Sequence, residues 1–292
     1  MSQVEFKEIK PGIFHFRNLL SKEECEEIIQ HGEKTSYKQV PTTGGRQLVW
    51  CGVEASEVRN NQRIIEECTE FTRRYSATIF ERVAKHLPKD LEFRFKSLPT
   101  EVNRADVCPT LEKAKEWKLF SVSDKFRMYK YEKKQHFLKH FDGTNKRILS
   151  LTEGKKPVKQ FTEQSFMTFL VYLNDVEKGG ETQFFDTYSK EETFDIKPEM
   201  GSGVVFLHEL LHQGNDVLGG VKYLLRTDIC YMKQKEIVED GQKNINYTMK
   251  VSADQKKNKN SQNNILELLP QGDYAISEWQ KIFHPSCQHY TD

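Results

Sequence analysis

The sequence predicts an α+β, mainly β protein in which short strands form a barrel or sandwich, braced by helices near the N-terminus. From about residue 126 the chain is a series of short aromatic-rich segments separated by turns with Gly, Asn, Asp and Pro: FRMYKY, QHFLKHFD, SFMTFLVYL, GSGVVFL and KYLLRTDICYM. Such a series is typical of the strands of a two-layered or closed β-structure. The segment SFMTFLVYL is apolar on both faces, which indicates a central strand covered on both sides.

The N-terminal part carries the elements that we expect to brace this sheet. The segment IFHFR is predicted as a strand, and a helix follows it because Ser21 and Glu24 have the spacing of a capping box. Apolar residues recur at helical spacing between residues 59 and 87, so a longer helix is predicted there, and Pro88 ends it.

Composition bounds the class of protein. The chain has 292 residues, 37% hydrophobic and 30% charged, and a net charge of +1, which gives no signal for nucleic acid or an anionic membrane as partner. No apolar run reaches the length of a membrane span and no signal peptide is recognisable, so an intracellular, cytoplasmic protein is expected. Six cysteines without a CxxC pair are expected to be reduced thiols rather than a disulfide framework.

We expect one main domain over residues 1–235, with its strand-rich part at about 126–233. After it the composition turns polar, and residues 236–263, rich in Lys, Asn and Gln, are predicted to be a loop or linker. Residues 264–292 contain the more apolar ILELLPQGDYAISEWQKIF and are predicted to dock as a C-terminal helical segment. The sequence does not indicate an oligomeric state.

Residues 208–212 read HELLH, the H-E-x-x-H pattern of zinc proteases. In those enzymes both imidazoles project from one face of a continuous helix and the glutamate acts as base. Here glycines stand on both sides of the pattern and the run VVFL before it is typical of a strand, which disfavours a helix. A zinc peptidase would need an intact helix over 204–214. It would also need a distant third ligand, for which Glu236 and Glu239 are candidates.

A second metal motif is the H-x-D pair His140 and Asp142. Positions i and i+2 of a strand share a face, so an imidazole and a carboxylate can hold one ion there. A distant histidine, for which His212 is the candidate, would complete the two-histidine, one-carboxylate triad of non-haem Fe(II) oxygenases, which leaves positions open for cosubstrate and dioxygen. Lys222, at the start of a predicted strand beyond His212, is placed to pair with the distal carboxylate of a dicarboxylate cosubstrate.

Three blocks in order resemble the prolyl 4-hydroxylase-type 2-oxoglutarate, Fe(II)-dependent dioxygenases. The family pattern Y-E-x-G-Q-x-Y/F-x-x-H-x-D is similar to residues 131–142, the pattern Y-L-N…G-G-E-T-x-F to 172–184, and the pattern H-x-G…V-x-x-G-x-K to 212–222. The N-terminal IFHFRNLLSKEECEEII also resembles the opening strand and helix of the family, so the similarity covers most of residues 8–233.

The resemblance implies a fold, a set of cofactors and the residues of a site. The implied fold is a double-stranded β-helix, or jelly roll, with the N-terminal helices against its outer sheet. The implied cofactors are Fe(II), 2-oxoglutarate, dioxygen and ascorbate. The implied site consists of His140, Asp142 and His212 as catalytic iron ligands, of Lys222 as the carboxylate anchor that Arg226 replaces or assists, and of Tyr131, Tyr172 and Thr182 as the lining of the cosubstrate pocket.

The implied reaction is hydroxylation of an unactivated C–H bond, coupled to oxidative decarboxylation of 2-oxoglutarate. A polypeptide is the expected substrate, with a prolyl side chain first, and a small molecule or free amino acid is the alternative. A non-catalytic binding module and the zinc peptidase are further alternatives. Two departures from the family pattern, Lys134 in place of glycine and Tyr223 in place of tryptophan, bear on substrate choice.

Overall fold

The described residues fold mainly into β-strands, which form two facing sheets and a two-stranded ribbon. The computed structural model describes residues 3–34, 62–65, 69–98, 110–153, 156–185, 193–235 and 246–250. The strands are β1 Glu5–Lys10, β2 Ile13–Arg17, β3 Gln62–Ile65, β4 Lys118–Val122, β5 Phe126–Tyr131, β6 Phe137–His140, β7 Lys146–Glu153, β8 Lys156–Tyr172, β9 Lys178–Gly179, β10 Thr182–Phe185, β11 Thr193–Ile196, β12 Gly203–Leu207, β13 His212–Gly214, β14 Val217–Gly219, β15 Lys222–Lys235 and β16 Asn246–Lys250. The helices are α1 Lys22–Lys34, α2 Glu70–Val83, α3 Glu92–Ser97 and α4 Leu111–Ala114, with a 3₁₀ turn at Ala84–His86.

The sheet topology confirms the predicted jelly roll. The large sheet has ten strands, in the order β1-β2-β12-β8-β15-β5-β3, with β4 beside β15, β7 beside β8 and β16 beside β7. The small sheet has the order β11-β10-β13-β6, and β9 pairs with β14 in a two-stranded ribbon. After β5 the chain crosses repeatedly between the two sheets, as the strands of a double-stranded β-helix do.

The central strand β8 shows why the core has two halves. It lies between β12 and β15, and the segment SFMTFLVYL that was predicted to be covered on both faces lies in it. Phe169 and Val171 pack into the cluster that includes residues of α1 and α2, whereas Leu170 and Tyr172 pack into the cluster that includes residues of the small sheet. Alternate side chains of β8 therefore separate a helix-covered outer face from an interior between the sheets, where the candidate site lies.

Helix α1 begins as the capping box predicts. The backbone N–H of Ser21 donates to Glu24 Oε2 at 2.8 Å, and the backbone N–H of Glu24 donates to Ser21 Oγ at 3.2 Å. The same glutamate accepts two hydrogen bonds from Arg82 of α2, each at 2.8 Å, which joins the two helices.

The helix predicted over residues 59–87 is wrong in its extent. Its helical part is α2, which begins after the N-cap Thr69 and ends at Val83, whereas residues 62–65 form the strand β3. Strand β3 pairs antiparallel with β5, so the backbone of residues 62–65 forms hydrogen bonds with the edge of the large sheet. The β-branched isoleucines of QRII suit that pairing, and the helical spacing of the apolar residues does not reveal it.

The predictions for the C-terminal part are largely untested. Of residues 236–263 the structure describes the strand β16, which runs parallel to β7, and the helix predicted within 264–292 lies outside the described residues. Two cysteines are described, Cys25 and Cys230, and both are free and buried. Burial raises the pKa of the Cys25 thiol to about 12, which makes that thiol unreactive. Among the described helices, none has the length and apolar character needed to cross a membrane.

Candidate metal centre

Three side chains meet between the two sheets. His140 ends β6, Asp142 follows two residues later, and His212 begins the neighbouring strand β13, whose register places it directly opposite His140. One ligand atom from each lies within 4.8 Å of the others. His140 Nε2 is 3.7 Å from Asp142 Oδ1, and His212 Nε2 is 3.5 Å from Asp142 Oδ2. Bonds of about 2 Å to a shared ion require donor atoms about 3 to 4 Å apart, so one cation fits between them.

The two imidazoles are oriented for metal binding. Nδ1 of His140 lies 2.6 Å from the carbonyl oxygen of Leu138, and Nδ1 of His212 lies 3.0 Å from that of Leu210. A carbonyl only accepts, so each Nδ1 carries the proton and each Nε2 has a free lone pair. Burial lowers the pKa of both rings. For His140 the neighbouring His212 adds to this effect, and the pKa falls to about 3. Both rings are therefore neutral at pH 7.

Asp142 completes the set as a buried carboxylate. Burial alone would raise its pKa, but the guanidinium of Arg226, whose Nη2 is 2.8 Å from Oδ1, holds the pKa well below its usual range. The carboxylate is therefore ionised. Two neutral imidazoles and one carboxylate are the donor set that binds non-haem Fe(II), so the residues fit that metal.

A second group of side chains surrounds Lys222. Its Nζ is buried, donates to the carbonyl oxygen of Gly180 at 2.6 Å, and lies 5.6 and 5.5 Å from the ring centroids of Tyr131 and Tyr172. The hydroxyl of Tyr172 donates to Thr182 Oγ1 at 2.7 Å. Burial lowers the pKa of Lys222 to about 8. An ammonium has three protons to donate, so this buried cation offers a place for an anionic oxygen.

Strand β15 links Lys222 to the ligand cluster. Lys222 and Arg226 are four residues apart on β15, so their side chains share one face and their Cα atoms are about 13 Å apart. Arg226 reaches Asp142 at one end, and Lys222 reaches the two tyrosines at the other. Strand β10 connects the two ends from the small sheet, because Phe184 is the register partner of His212 and Thr182 lies two residues before it.

The HELLH stretch is not a helix. Strand β12 ends at Leu207, a turn follows, and β13 begins at His212, so the helix that a zinc peptidase requires over 204–214 is absent from this fully described stretch. The ring of His208 is buried and lies against Thr168 at 2.9 Å and Ser165 at 3.1 Å. The zinc-peptidase alternative therefore has no structural basis.

Sequence reasoning missed Thr168. Its hydroxyl donates to Asp142 Oδ2 at 2.5 Å, and its side chain is fully buried. The available signal was a hydroxyl inside the apolar run SFMTFLVYL, where a strand covered on both faces has no water to solvate it.

One comparison with known protein families matches the strand-rich part of the chain. Residues 126–227 match the sequence profile of the 2OG-Fe(II) oxygenase superfamily. No relative is detected among curated proteins.

Several solved structures are similar at low sequence identity. A viral collagen prolyl hydroxylase from Paramecium Bursaria Chlorella virus-1, as a 2OG complex, is 17% identical over 75% of this chain and 96% of that chain, with a TM-score of 0.39. A Pseudomonas putida prolyl-4-hydroxylase is 15% identical over 75% and 92%, with a TM-score of 0.43. A Trichoplax adhaerens prolyl hydroxylase, in complex with a hypoxia inducible factor peptide fragment, is 13% identical over 75% and 83%, with a TM-score of 0.42. These values are too low to transfer a substrate.

Proposed function

We propose that the chain is a hydroxylase of the 2OG-Fe(II) oxygenase superfamily, whose profile residues 126–227 match, and that His140, Asp142 and His212 hold Fe(II). The observation that carries the proposal is that a metal-ligating cluster and the buried ammonium of Lys222 lie near each other in the interior between the two sheets. A dicarboxylate can bind the metal through one end and the ammonium of Lys222 through the other. We assign the distal carboxylate of 2-oxoglutarate to Lys222 and the opposite end of the molecule to the metal.

Bound Fe(II) supplies the redox chemistry, in which 2-oxoglutarate and dioxygen are converted to succinate and CO2 while one oxygen atom enters a substrate C–H bond. The protein holds the reactants in place. The neutral rings of His140 and His212 present Nε2 lone pairs, and Asp142 adds one negative charge. We include ascorbate in the proposal as the reductant that keeps iron ferrous.

The surroundings of Lys222 suit a carboxylate in three ways. The ammonium is excluded from water, so its attraction to an anion is stronger than at a surface. Burial raises the pKa of Tyr131 and of Tyr172, so both phenols stay protonated. Because Thr182 Oγ1 accepts the proton of Tyr172, its own hydroxyl proton is available for a ligand oxygen. We therefore propose Tyr131, Tyr172 and Thr182 as the lining of the cosubstrate pocket.

Arg226 is proposed to act on the metal side rather than as the carboxylate anchor. Its Nη2 lies 2.8 Å from Asp142 Oδ1 and 3.8 Å from Asp228 Oδ1. A guanidinium that is held by two carboxylates has its charge matched already, whereas Lys222 has no carboxylate within salt-bridge distance among the described residues.

For the substrate we propose a polypeptide, with a prolyl side chain as the first candidate and a small molecule or free amino acid as the alternative. A cleft of about 500 Å³ lies beside β6 and β13, the strands that carry the two histidines, and its lining includes His136, Phe137, Asp216 and Leu218. Leu218 is 48% exposed, and Phe141, between two proposed ligands, is 37% exposed. An open cleft with an exposed apolar side chain, beside the strands of the proposed ligands, favours a large substrate over one that is fully enclosed.

The test is succinate formation from 2-oxoglutarate by the full chain with Fe(II) and ascorbate. Wild type and the control His86→Ala, which changes a histidine on the outer face, are expected to turn over. Asp142→Ala and His212→Ala are expected to be inactive. Adding proline-containing peptides or free amino acids then separates the two substrate classes by which of them stimulates turnover. Wild type without succinate formation under all these conditions would refute the proposed reaction.

A further inference from the structure

A line of buried hydrogen bonds leads from the main chain of Asn145 to the carboxylate of Asp142. The backbone N–H of Asn145 donates to Ser165 Oγ at 2.8 Å, and Ser165 Oγ lies 3.1 Å from His208 Nε2. On the other side of the ring, His208 Nδ1 lies 2.9 Å from Thr168 Oγ1, which donates to Asp142 Oδ2 at 2.5 Å. The side chains of Ser165, Thr168 and His208 are at most 2% exposed.

The protons in this line have one consistent direction. The ionised Asp142 can only accept, so Thr168 gives it its single hydroxyl proton. Thr168 Oγ1 can then only accept from the ring, which places a proton on His208 Nδ1. Ser165 Oγ accepts from the backbone N–H of Asn145 and keeps its own hydroxyl proton, which it donates to His208 Nε2 at 3.1 Å. Every buried polar atom along the line is then satisfied, which is the condition under which such a network fixes side-chain positions.

His208 holds Asp142 a second time through its main chain. The backbone N–H of Asp142 donates to the carbonyl oxygen of His208 at 3.0 Å. The turn that begins at His208 also carries Leu210, whose carbonyl oxygen orients the ring of His212. One short turn therefore contacts two of the three proposed ligands.

The turn is itself anchored by a buried ion pair. Arg94 of α3 donates from Nε to Glu209 Oε1 at 3.0 Å, and its Nη2 is also 3.0 Å from that oxygen. Both side chains are 4% exposed. The glutamate of the HELLH stretch thus fastens the turn to a helix outside the two sheets.

We propose that Thr168 and His208 are positioning residues, which hold the Asp142 carboxylate in the orientation that binds metal without touching metal or substrate themselves. The inference rests on the proposed metal site and deepens it. In this role His208, the first histidine of HELLH, supports a metal ligand and does not bind the metal itself. Residues that orient a metal ligand in this way typically contribute about 10- to 100-fold in metal affinity.

The alternative is a network that contributes stability only. Thr227→Val is the matched control, because Thr227 is also buried and its hydroxyl donates to the carbonyl oxygen of Ser123 at 2.7 Å. It is the strand neighbour of Arg226, so its side chain points to the opposite face of β15. Thr168→Val and Thr227→Val each remove one buried hydroxyl, and only the first removes a contact to Asp142.

The experiment measures Mn(II) binding to the metal-free full chain by EPR of the free ion, with urea unfolding of each variant alongside. Thr168→Val and His208→Leu are expected to bind Mn(II) about 10- to 100-fold more weakly than wild type. Thr168→Ser, which restores the hydroxyl, and His208→Asn, whose amide N–H can take the place of Nδ1–H, are expected to recover most of that loss. Thr227→Val is expected to lose stability and keep wild-type affinity.

The outcomes are distinguishable. If folded Thr168→Val binds Mn(II) as tightly as wild type, the positioning role is wrong while the proposed metal site stands. If Thr227→Val weakens binding as much as Thr168→Val, or the two conservative variants recover nothing, the network acts through stability alone and the inference is overturned. If wild type does not bind Mn(II), the proposed function fails first, and the inference fails with it.

Discussion

The guanidinium of Arg226 lies 2.8 Å from Asp142, so a proposed metal ligand is already ion-paired before any metal binds. Removing one partner of a buried ion pair leaves the other charge uncompensated, at a cost of about 3 to 5 kcal/mol. A bound cation would restore the missing positive charge beside the carboxylate.

Arg226→Met is therefore expected to lower the free energy of unfolding of the metal-free protein by about 3 to 5 kcal/mol. Saturating Mn(II) should recover more stability in this variant than in wild type, because the ion replaces the lost charge. Urea unfolding with and without Mn(II) measures both quantities. Arg82→Met, which breaks a half-buried pair with Glu24 in the helices, serves as control and should gain only the wild-type increment from Mn(II). Equal increments in all three proteins would contradict the assignment.

Lys222→Met is expected to separate stability from function. The buried ammonium is destabilising in the ligand-free protein, so the variant should be more stable than wild type by about 1 to 3 kcal/mol. It should also lose most of its affinity for 2-oxoglutarate, because the anchor for the distal carboxylate is gone. Lys118→Met, on the half-exposed lysine of β4, is the control and should leave that affinity unchanged. A Lys222→Met protein that binds 2-oxoglutarate like wild type would exclude the anchor role.

The affinity for 2-oxoglutarate should depend on pH through the same lysine. Its pKa is lowered to about 8, so the ammonium is present at pH 7 and is lost as the pH rises through 8. Above that pH the dissociation constant should increase about tenfold per pH unit, until the pKa of the complex is reached. Isothermal titration from pH 6.5 to 9.5 measures this, and Lys222→Met should show weak binding without the same slope. A constant affinity across the range in wild type would argue against an anchoring ammonium.

The free energy of unfolding should also depend on pH through Lys222. The folded pKa of Lys222, about 8, is below its ordinary value of 10.5, so the unfolded chain binds more protons between these two values. The free energy of unfolding of wild type therefore gains from this group as the pH rises from about 8 to 10.5. The advantage of Lys222→Met should be complete below pH 8 and should shrink toward pH 10.5. An advantage that does not change with pH would point to packing instead.

Lys134→Gly is expected to stabilise the fold. Lys134 has a φ of 72°, a left-handed conformation that costs a residue with a side chain about 1 to 2 kcal/mol. Glycine adopts it freely but loses more entropy on folding, so a net gain of about 1 kcal/mol is expected. Thermal unfolding measures the change, and Lys133→Gly, at a position without positive φ, should not be stabilising. A destabilised Lys134→Gly would show that the lysine makes a contact that outweighs the strain.

Strand periodicity explains how much of the site could be predicted. The two-residue spacing of His140 and Asp142 predicts that they point to one ion, although β6 ends at His140 and Asp142 lies just beyond it. Lys222 and Arg226 share a face of β15 because they are four residues apart. The pairing of His140 with His212 across two strands is a long-range register, which spacing alone does not give and which the family resemblance supplied.

The remaining features depend on contacts between distant segments. Thr168 lies 26 residues from Asp142 and 40 from His208 in the chain, so no local pattern marks it as part of the site. Residues 62–65 form a strand because the edge of β5 is available to them, and their own sequence does not reveal that edge. The helix expected within residues 264–292 stays a prediction.

The most direct test is an anomalous diffraction map from crystals of the full chain grown without oxygen in the presence of Mn(II) and 2-oxoglutarate. The account predicts one metal peak bonded to Nε2 of His140, Nε2 of His212 and the carboxylate of Asp142. It also predicts that the distal carboxylate of 2-oxoglutarate contacts Nζ of Lys222. A peak held by His208 and His212, or a distal carboxylate bound by Arg226 with Lys222 left apart, would contradict it.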